Sequence, residues 1–269
     1  MIAPELPLAE AHTIAPYRAQ YLESLPEAQE AFLEMLMLGA QHHLIVWKGE
    51  HAGYISLHEK KTALEFFLLP NAISFAQDLF PLILDKLHIE RAWIKSFDAM
   101  FLSCALDCQT SLATKGLLVR EYLPRALPQI ERITYTRRKA KPEDLEAVIA
   151  VDQPVFTNPL RLKAAIAAGN IHLFEHGSRL VGFCLVRVIV PGKPHVDVGI
   201  AVDTPFRNKG YAPYMLRDVV EFCLAEGYEP VTGCEQENLP SFRIGRRIGF
   251  VARYRLVEAH FAAGLAPLE

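Results

Sequence analysis

Cysteine is scarce in this sequence, and neither sign of charge is in clear excess. The five cysteines, among 269 residues, form an odd set without the spacing of metal ligands. Cys104 and Cys108 lie four residues apart, as on one face of a helix, but no histidine pair accompanies them. We therefore expect no bound metal, and thiols that stay reduced in a cytosol rather than paired in disulfides.

The near balance of charge argues against two classes of partner. Lysine and arginine together number 28 and aspartate and glutamate 31, so the net charge is -3 at pH 7. Such a balance supplies no overall field that would attract nucleic acid or an anionic membrane surface. The sequence thus predicts neither as a partner.

Long apolar runs are also missing. No run is long enough to span a bilayer, and the first residues lack the basic segment and apolar core of a secretory signal. We therefore expect a soluble, cytoplasmic protein. Apolar residues nevertheless make up 51% of the chain, enough to bury the cores of one large domain or two ordinary ones.

Apolar periodicity and turn residues divide the chain into two halves with the same order of elements. Residues 1–23, interrupted by Pro4, Pro7 and Pro16, allow no assignment. The first half is then predicted to hold a helix, a three-strand meander, and alternating helices and strands at 24–39, 44–47, 53–57, 64–69, 73–87, 91–96, 100–108 and 117–122. The second half repeats this order at 133–137, from Pro142 onwards, and at 159–168, 171–174, 181–190, 196–202, 214–226, 230–234, 238–247 and 250–256.

Glycines recur at corresponding places in the two halves. The matching sets are Gly49, Gly53 and Tyr54 with Gly177, Gly182 and Phe183, and Gly116 and Leu117 with Gly249 and Phe250. The offsets between the matched residues all lie near half the chain length. Two copies of one α/β unit are therefore predicted.

One stretch after the second meander suggests a ligand site. Ile200 to Ala212, IAVDTPFRNKGYA, runs from a short apolar strand through a turn with Gly210 into a helix. Peptide N–H groups freed at such a turn, with a helix N-terminus behind them, form a concave site for phosphate. Arg207 and Lys209 precede the glycine, which lets the backbone approach a ligand closely. The stretch is therefore predicted to bind an anion.

These residues resemble a motif of the GNAT superfamily of acetyltransferases. The motif is Arg or Gln, two residues, Gly, one residue, and Gly or Ala, which here runs from Arg207 through Gly210 to Ala212. A second element of the family follows at the right distance, with Asn238, Ser241, Gly249 and Phe250. The order strand, loop, helix, strand, helix also agrees, over roughly residues 131 to 257.

The resemblance implies an α/β fold in tandem, each half holding a central, mostly antiparallel mixed sheet flanked by helices. Residues 131–269 would form an acetyltransferase domain and residues 1–128 a degenerate copy of it. Between Leu64 and Phe80, where the loop should lie, the first half has neither a glycine nor a basic residue. We therefore expect it to lack a CoA site and to serve as a structural half, covering an edge of the catalytic half or shaping its acceptor pocket.

The resemblance further implies a site for acetyl-CoA, the acyl-donor cosubstrate. The pantetheine arm would bond the backbone of Ile200, Ala201 and Val202 like an added strand, and Asn238 and Ser241 would line the thiol end. A backbone N–H of the strand would polarise the thioester carbonyl while an amine attacks it directly. The pyrophosphate would be held by the peptide N–H groups of Arg207, Asn208, Lys209, Gly210, Tyr211 and Ala212.

The catalytic side chains are less determined by the resemblance. Many family members carry a tyrosine seven residues after the asparagine, where this chain has Gly245. The leaving thiolate would then take its proton from water or from one of the candidates Tyr211, Tyr214 and Tyr254. Glu235, at the end of a strand, and Asp197, on the strand before the loop, are the candidate general bases. For each of them, a solvated surface carboxylate is the alternative interpretation.

Two further side chains have rival interpretations. His195 follows Pro194 beside a turn and ranks below the two carboxylates as a base. Cys234 would suggest a covalent acyl-enzyme, yet a cysteine in a strand is more often part of a core.

The predicted function is transfer of an acetyl group from acetyl-CoA to a primary amine of a small molecule or a protein N-terminus. Transfer of another acyl group is a close alternative, because the loop would contact the phosphates of CoA and not its acyl chain. A non-catalytic CoA sensor or interaction module is a second alternative, kept open by the missing tyrosine and the degenerate first half. Aminoacyl transfer from charged tRNA, known from tandem members, is disfavoured by the net charge.

Overall fold

The computed structural model of the chain describes residues 3–129, 133–151 and 158–262. These residues divide into two compact units: the first holds those up to Leu118 and from Tyr254 onwards, and the second those from Val119 to Arg253. Each unit combines helices with a mixed sheet, which confirms the predicted α/β class. No described helix combines the length and the apolar character that a membrane span requires.

The elements of secondary structure alternate as the sequence predicts over most of the chain. Short 3-10 turns at Ile73–Phe75, Pro142–Asp144 and Thr204–Phe206 precede three of the helices. In chain order, the strands and helices are β1 (Leu8–Ala9), α1 (Ala11–Ser24), α2 (Ala31–Met37), β2 (Gln41–Trp47), β3 (Glu50–His58), β4 (Thr62–Leu68), α3 (Ala76–Lys86), β5 (Arg91–Lys95), α4 (Ala99–Cys108), β6 (Gln109–Val119), β7 (Glu121–Tyr122), β8 (Thr136–Lys139), α5 (Leu145–Val151), α6 (Pro159–Ala167), β9 (Ile171–His176), β10 (Arg179–Val188), β11 (His195–Val202), α7 (Tyr211–Ala225), β12 (Glu229–Glu235), α8 (Leu239–Ile248), β13 (Phe250–Val251) and β14 (Tyr254–Phe261).

The sheet of the first unit has the strand order β1-β2-β3-β4-β5-β14-β6. Neighbouring strands pair antiparallel except β4 and β5, whose parallel ladder consists of Thr62 with Arg91 and Ala63 with Ala92. Helices α1 and α2 lie on one face. Helices α3 and α4 cover the other face around buried aromatic rings, those of Phe66, Phe80 and Phe101.

The sheet of the second unit has the order β12-β11-β10-β9-β8, and β7 and β13 form a separate antiparallel pair. Here β11 and β12 are the parallel neighbours. Helix α7 covers one face with Met215, Val219 and Cys223, and α5 and α6 cover the other with Val148 and Leu162. Both units thus contain the mostly antiparallel sheet flanked by helices that the resemblance implies.

The last strand of the chain belongs to the first unit, although its place in the sequence follows the second half. β14 lies between β5 and β6 and pairs antiparallel with both. Its residues Leu256, Ala259 and Phe261 are buried in the cores of the first unit. Periodicity identifies such a strand but does not reveal which sheet offers it two edges, because strand pairing is a long-range property.

Helix α1 occupies a region to which the sequence gives no assignment. The sequence of this helix has almost no apolar periodicity, and only Ile14 and Tyr21 of it are buried. Pro16 lies inside the helix and is exposed. Packing of the two buried residues against Leu44 and Tyr54, rather than local propensity, therefore stabilises α1.

Helix α2 is shorter than the predicted helix over 24–39. Ser24, the first residue of the predicted helix and a residue type that commonly caps helices, is instead the last residue of α1. The N-cap of α2 is Glu30, whose side chain accepts a hydrogen bond from the N–H of Phe32. The prediction was wrong because an acid can replace serine as a cap, which moves the helix start without changing the apolar pattern.

Gly53 in β3 and Gly182 in β10 occupy the same place in the two units. Their cross-strand partners in the third strand of each meander are Leu68 and Val202. A Cβ atom would lie 2.0 Å from the Phe67 carbonyl oxygen at Gly53 and 2.2 Å from the Ala201 carbonyl oxygen at Gly182. Both positions exclude a side chain for the same reason, which confirms the correspondence predicted from the sequence.

Candidate active site

A gap opens in the second unit between the parallel strands β11 and β12. Their ladder begins at His195 and ends where Asp197 faces Val231. Beyond this pair, β11 continues to Val202 and stays paired with β10. Strand β12 continues to Glu235 without pairing with β11. The two strands, which the structure describes in full, therefore enclose a gap that is closed at Asp197 and open towards Val202.

The peptide groups of β11 alternate between β10 and this gap. The carbonyl of His195 accepts from the N–H of Ile189 at 3.2 Å, and the N–H of Asp203 donates to the carbonyl of Val181 at 2.8 Å. Both bonds lie on the β10 side. Because successive peptides of a strand point to opposite edges, the odd-numbered residues between these two bond β10 and the even-numbered ones face the gap.

Because of this alternation, the three strand residues that are predicted to bind the donor do not all face the gap. The N–H and C=O groups of Ile200 and Val202 face the gap, whereas those of Ala201 face β10. The Val202 carbonyl accepts a hydrogen bond from Nε of Arg207 at 2.8 Å. The side chain of Ala201 packs against the core under α5 and α6.

The turn after β11 presents backbone N–H groups at the start of α7. Asn208 and Gly210 have left-handed φ angles of 59° and 92°. Helix α7 begins directly after Gly210, and among the described side chains none caps it and no acid lies in its first turn. The N–H groups of Tyr211 and Ala212, in the first turn, therefore face outwards at the positive end of the helix dipole. This arrangement fits a phosphate group.

Basic side chains gather around the ring of Phe206, just before this turn. The guanidinium carbon of Arg179 lies 5.3 Å from the ring centroid and the ammonium of Lys209 lies 5.9 Å from it. Within the described part of the chain, neither side chain nor that of Arg207 forms an ion pair with a carboxylate. Three positive charges are thus left without a neutralising partner beside the N-terminus of α7.

A pocket of about 290 Å³ adjoins this basic group. Arg179 and Asp203 supply its charged side chains, and the remaining wall is apolar. The apolar wall consists of Leu180 in β10 and of Ala147, Ala150 and Val151 in α5.

The start of α8 carries two of the predicted donor residues. Asn238 is the N-cap, and its Oδ1 accepts from the N–H of Ser241 at 3.2 Å. Asn238 is exposed and Ser241 half-buried. Since only three residues separate the end of β12 from the start of α8, both lie beyond the open end of the gap on the β12 side.

The two candidate bases lie on one face of the sheet, the face that α5 and α6 cover. Asp197 faces Val231 in the ladder, and strand alternation puts Glu235 on the same side, roughly 13 Å further along β12. Oδ2 of Asp197 lies 3.2 Å from Nη2 of Arg187. Glu235 is exposed. The two carboxylates therefore mark opposite ends of the gap.

The three candidate tyrosines lie in different surroundings. The hydroxyl of Tyr214 donates to the carbonyl of Pro128. Tyr211 is buried with its ring 5.5 Å from that of Phe206. Tyr254 belongs to the first unit, where its ring packs edge-on against Phe97. The structure thus brings only Tyr211 to the turn itself.

Neither His195 nor the thiols of the described cysteines indicate a second catalytic centre. His195 lies at the closed end of the ladder, with Nε2 at 3.2 Å from a carboxylate oxygen of Glu229. Burial raises the pKa of Cys223 to about 11, and Cys184 is buried as well. Cys234 is half-buried in β12. Among the described residues, no group of three His, Cys, Asp or Glu side chains is arranged to hold a metal ion.

Gly245 within α8 and Gly249 directly after it have different roles. Gly245, at the position where the resemblance would place a tyrosine, is buried, and a Cβ atom there would meet Phe250 at an ordinary 3.6 Å. At Gly249 a Cβ atom would lie 1.9 Å from the carbonyl oxygen of Leu123, and φ is +119°. Gly249 is therefore required by the close approach of the segment after β7, independently of any ligand.

The counterpart of this gap in the first unit is filled. The parallel ladder of β4 ends at Ala63, and Glu65, fully buried, follows two residues later. Its carboxylate accepts from Nη2 of Arg18 at 2.9 Å, Nε2 of Gln29 at 3.0 Å and the hydroxyl of Tyr54 at 2.8 Å. Side chains therefore occupy the space beside β4.

Lys95 of β5 completes this buried network. Its ammonium donates to Oε1 of Gln29 at 2.8 Å and to the hydroxyl of Tyr21, which donates in turn to Oδ2 of Asp98 at 2.6 Å. Burial lowers the pKa of Lys95 and raises that of Asp98. The sequence gives no sign of this network, because its members come from α1, from the segment before α2, from three strands and from the N-cap of α4.

Arg179, Arg187 and Gly199 are residues near the gap that the sequence analysis did not single out. Arg179 and Arg187 lie on β10, far from the recognised motif. Gly199 lies two residues past the end of the ladder, and no atom of the described residues is within 4 Å of where its Cβ would be. The feature of the sequence that could have identified them is the strand register, which Gly53 and Gly182 fix in the two units.

Comparison with protein families identifies both units. A family model described as an acetyltransferase (GNAT) domain matches residues 10–122, and a second with the same description matches residues 122–251. The chain belongs to the GNAT acetyltransferase family, with two such domains in tandem, and is an acyltransferase of that type. Among curated proteins, none matches the sequence.

Solved structures share the fold over almost the whole chain. A GNAT acetyltransferase from Colwellia psychrerythraea has 17% identity and a TM-score of 0.85, covering 96% of this chain and 100% of its own. A tandem GNAT protein from the clavulanic acid biosynthesis pathway has 14% identity and a TM-score of 0.60, with 98% and 99% covered. A GCN5-related N-acetyltransferase from Sphaerobacter thermophilus has 17% identity and a TM-score of 0.55, with 95% and 88% covered. At these identities, the likeness establishes the tandem fold alone.

Proposed function

We propose that the second unit transfers an acetyl group from acetyl-CoA to a primary amine. Family membership supports acyl transfer, and the geometry of β11, β12 and α7 supports the position of the donor. The observation that carries the proposal is the continuity of the gap with the turn. Strand peptides lead from the closed end at Asp197 to the uncapped helix N-terminus behind Gly210.

The residues of the turn hold the donor's pyrophosphate in this proposal. Their peptide N–H groups face outwards, and the helix dipole favours an anion there. Ile200 and Val202 bind the pantetheine arm with their gap-facing peptides, and Asn238 and Ser241 contact it from the β12 side. The turn residues assigned to the phosphates are Arg207, Asn208, Lys209, Gly210, Tyr211 and Ala212.

Asp197 is the base that we propose. An arm that starts at the turn and follows β11 brings the thioester to the closed end of the gap, next to Val198 and Asp197. Glu235 lies at the open end and is exposed, so it remains the second candidate. The ion pair with Arg187 holds the carboxylate of Asp197 in place beside β11.

The chain's residues guide a direct attack. Asp197 takes one proton from the acceptor ammonium, directly or through water, and leaves a neutral amine. The amine nitrogen bonds the acetyl carbon, the carbon–sulfur bond breaks, and the thiolate receives the second proton of the nitrogen through water. A gap-facing N–H of β11 donates to the carbonyl oxygen as its charge develops, worth about 3 kcal/mol per donor.

We further propose that each chain binds one donor. In the first unit, Glu65 and Lys95 are buried beside the position that the gap takes in the second. A pantetheine arm would have to displace their hydrogen-bonded network, at the cost of unpaired buried charges. The segment after β4 also lacks basic residues and glycine, so nothing there replaces the turn at Gly210.

A thiol-release assay with a panel of amines tests the proposed reaction. Acetyl-CoA is incubated with the protein and polyamines, amino acids, aminoglycosides or peptides with free N-termini, and each product is identified by mass spectrometry. We expect acetylation of at least one amine and a large loss of rate in Asp197→Asn. Propionyl-CoA and succinyl-CoA in parallel report the acyl group. No release from any donor with any amine would contradict the proposal.

A further inference from the structure

We propose that Arg179 binds the 3′-phosphate of coenzyme A and so selects donors that carry this group. The inference rests on the proposed function, because it assumes that the pyrophosphate lies at the start of α7. It assigns to this chain a specificity-determining residue that lies outside the recognised motif, 28 residues before Arg207 in the sequence.

The position of Arg179 supports this role. It is the first residue of β10, directly after the turn from β9, and its side chain is exposed. The guanidinium lies over the ring of Phe206, which immediately precedes the turn residue Arg207. The guanidinium of Arg179 and the ammonium of Lys209 thus lie 5.3 Å and 5.9 Å from the centroid of the same ring, although different parts of the chain supply them.

The phosphate groups of the donor require binding groups in addition to the N-terminus of α7. Coenzyme A carries a pyrophosphate and, separately on the ribose, a phosphomonoester. The peptide N–H groups at Gly210 and Tyr211 suit the pyrophosphate, which is bridged and compact. A terminal phosphate presents several oxygens to solvent, and the planar fork of an arginine matches it with two parallel hydrogen bonds.

The first unit provides an internal comparison. In its β2–β3 hairpin, Glu50 faces Trp47, just as Arg179 faces His176 in the β9–β10 hairpin. The unit without the loop therefore has an acid at the position where the unit with the loop has a base. The two hairpins have the same register at their turns. If the residue at this position served only the folding of its hairpin, an acid in one unit and a base in the other would not be required.

Asp203 is the acid that Arg179 faces across the pocket. Both side chains line it, but no ion pair joins them. The backbone N–H of Asp203 bonds Val181 and fixes the start of the turn without help from Arg179. Loss of the guanidinium is therefore expected to affect an anionic ligand more than the fold.

Calorimetric titration with two ligands tests the proposal on the full chain. Coenzyme A and 3′-dephospho-coenzyme A are titrated into the wild type, Arg179→Met and, as a matched loss of one exposed charge in the same unit, Lys163→Met. We expect the wild type and Lys163→Met to prefer coenzyme A by about tenfold or more. In Arg179→Met this preference should vanish, because only the affinity for coenzyme A falls.

Two outcomes would overturn the proposal. One is an unchanged preference in Arg179→Met, and the other is an equal loss of affinity for both ligands, which would place Arg179 at a group that they share. Thermal unfolding of the three proteins should coincide, and a lower midpoint in Arg179→Met with an unchanged ligand preference would indicate a structural role. If the wild type binds neither ligand, the proposed function itself fails.

Discussion

Glu65 and Gly199 occupy equivalent positions in the two units. Each lies two residues past the end of a parallel ladder, which closes at Ala63 in the first unit and at Asp197 in the second. At this position the first unit buries a carboxylate with three hydrogen-bond donors, whereas in the described part of the second unit no atom approaches the Cβ position of Gly199 within 4 Å. One fold therefore offers a filled gap in one unit and an accessible gap in the other.

Filling the open position should block the reaction. Among the described residues, Gly199 has no neighbour within 4 Å of its Cβ position, and its φ is not left-handed, so Gly199→Leu should fold normally. The new side chain would lie beside Asp197, the proposed base, where the acceptor ammonium must approach. We expect acetyl transfer to fall by about 100-fold or more in the thiol-release assay, since misplacement of a reacting group by an ångström has effects of this size. Gly199→Ala is the matched control and should retain most activity; full activity in Gly199→Leu would place the acceptor elsewhere.

Removal of one charge from the buried network should destabilise the first unit strongly. Lys95 is 1% exposed and lies among Glu65, Asp98 and Tyr21. Lys95→Met leaves buried carboxylates without their cation, and we expect a loss of about 3 to 5 kcal/mol in the free energy of unfolding, measured with urea. Lys61→Met, which breaks an exposed ion pair, is the control and should cost under about 1 kcal/mol. Equal effects would show that the network adds nothing to stability.

Acid should destabilise the second unit through His172. Burial, with further contributions from Arg137 and Lys139, lowers the pKa of His172 from 6.5 to about 4. Between these values the unfolded chain binds a proton that the folded chain does not, so this contribution is complete above pH 6.5 and is lost as the pH falls to about 4. It amounts to about 3 kcal/mol.

Urea unfolding of the wild type and His172→Gln at pH 7 and pH 4.5 measures this contribution. The difference between the two pH values should be smaller in His172→Gln, while His12→Gln, at an exposed site, should behave as the wild type. The same pH dependence in all three proteins would show that His172 is not the group responsible.

The two glycines of α8 should respond to alanine in opposite directions. Gly249→Ala places a Cβ atom 1.9 Å from the carbonyl oxygen of Leu123 at a left-handed φ, and we expect a loss of about 2 kcal/mol or more. Gly245→Ala meets only Phe250 at contact distance in a helix interior and should stabilise by about 0.5 to 1 kcal/mol. Thermal unfolding measures both. Destabilisation by Gly245→Ala would mean that the space beside this helix is smaller than described.

The sequence predicts those parts of the site that depend on neighbouring residues. Gly210, after two basic residues and before an apolar helix, is a local pattern, and the structure gives it a left-handed φ. The repeat is equally visible, because Gly53 and Gly182 exclude a side chain for the same backbone reason. Roles for Asp197 and Asn238 at a donor remain predictions, although both residues lie beside the gap.

The sequence does not predict features that depend on distant pairing. The peptide of Ala201 faces β10 and not the gap, which follows from a strand register that only the hydrogen bonds reveal. Helix α1 forms because Ile14 and Tyr21 are buried on a sheet, not because its residues favour a helix. Arg179 joins the basic group at Phe206 from another hairpin. In each case a partner many residues away determines the outcome.

Titration of coenzyme A into the full chain, followed by calorimetry, tests the central claim most directly. We expect one binding site per chain in the wild type. Gly210→Val, which cannot adopt the φ of 92° without strain, should lose binding while its thermal unfolding remains cooperative. Two sites per chain, no binding to the wild type, or unchanged binding to Gly210→Val would contradict a single donor site at the start of α7.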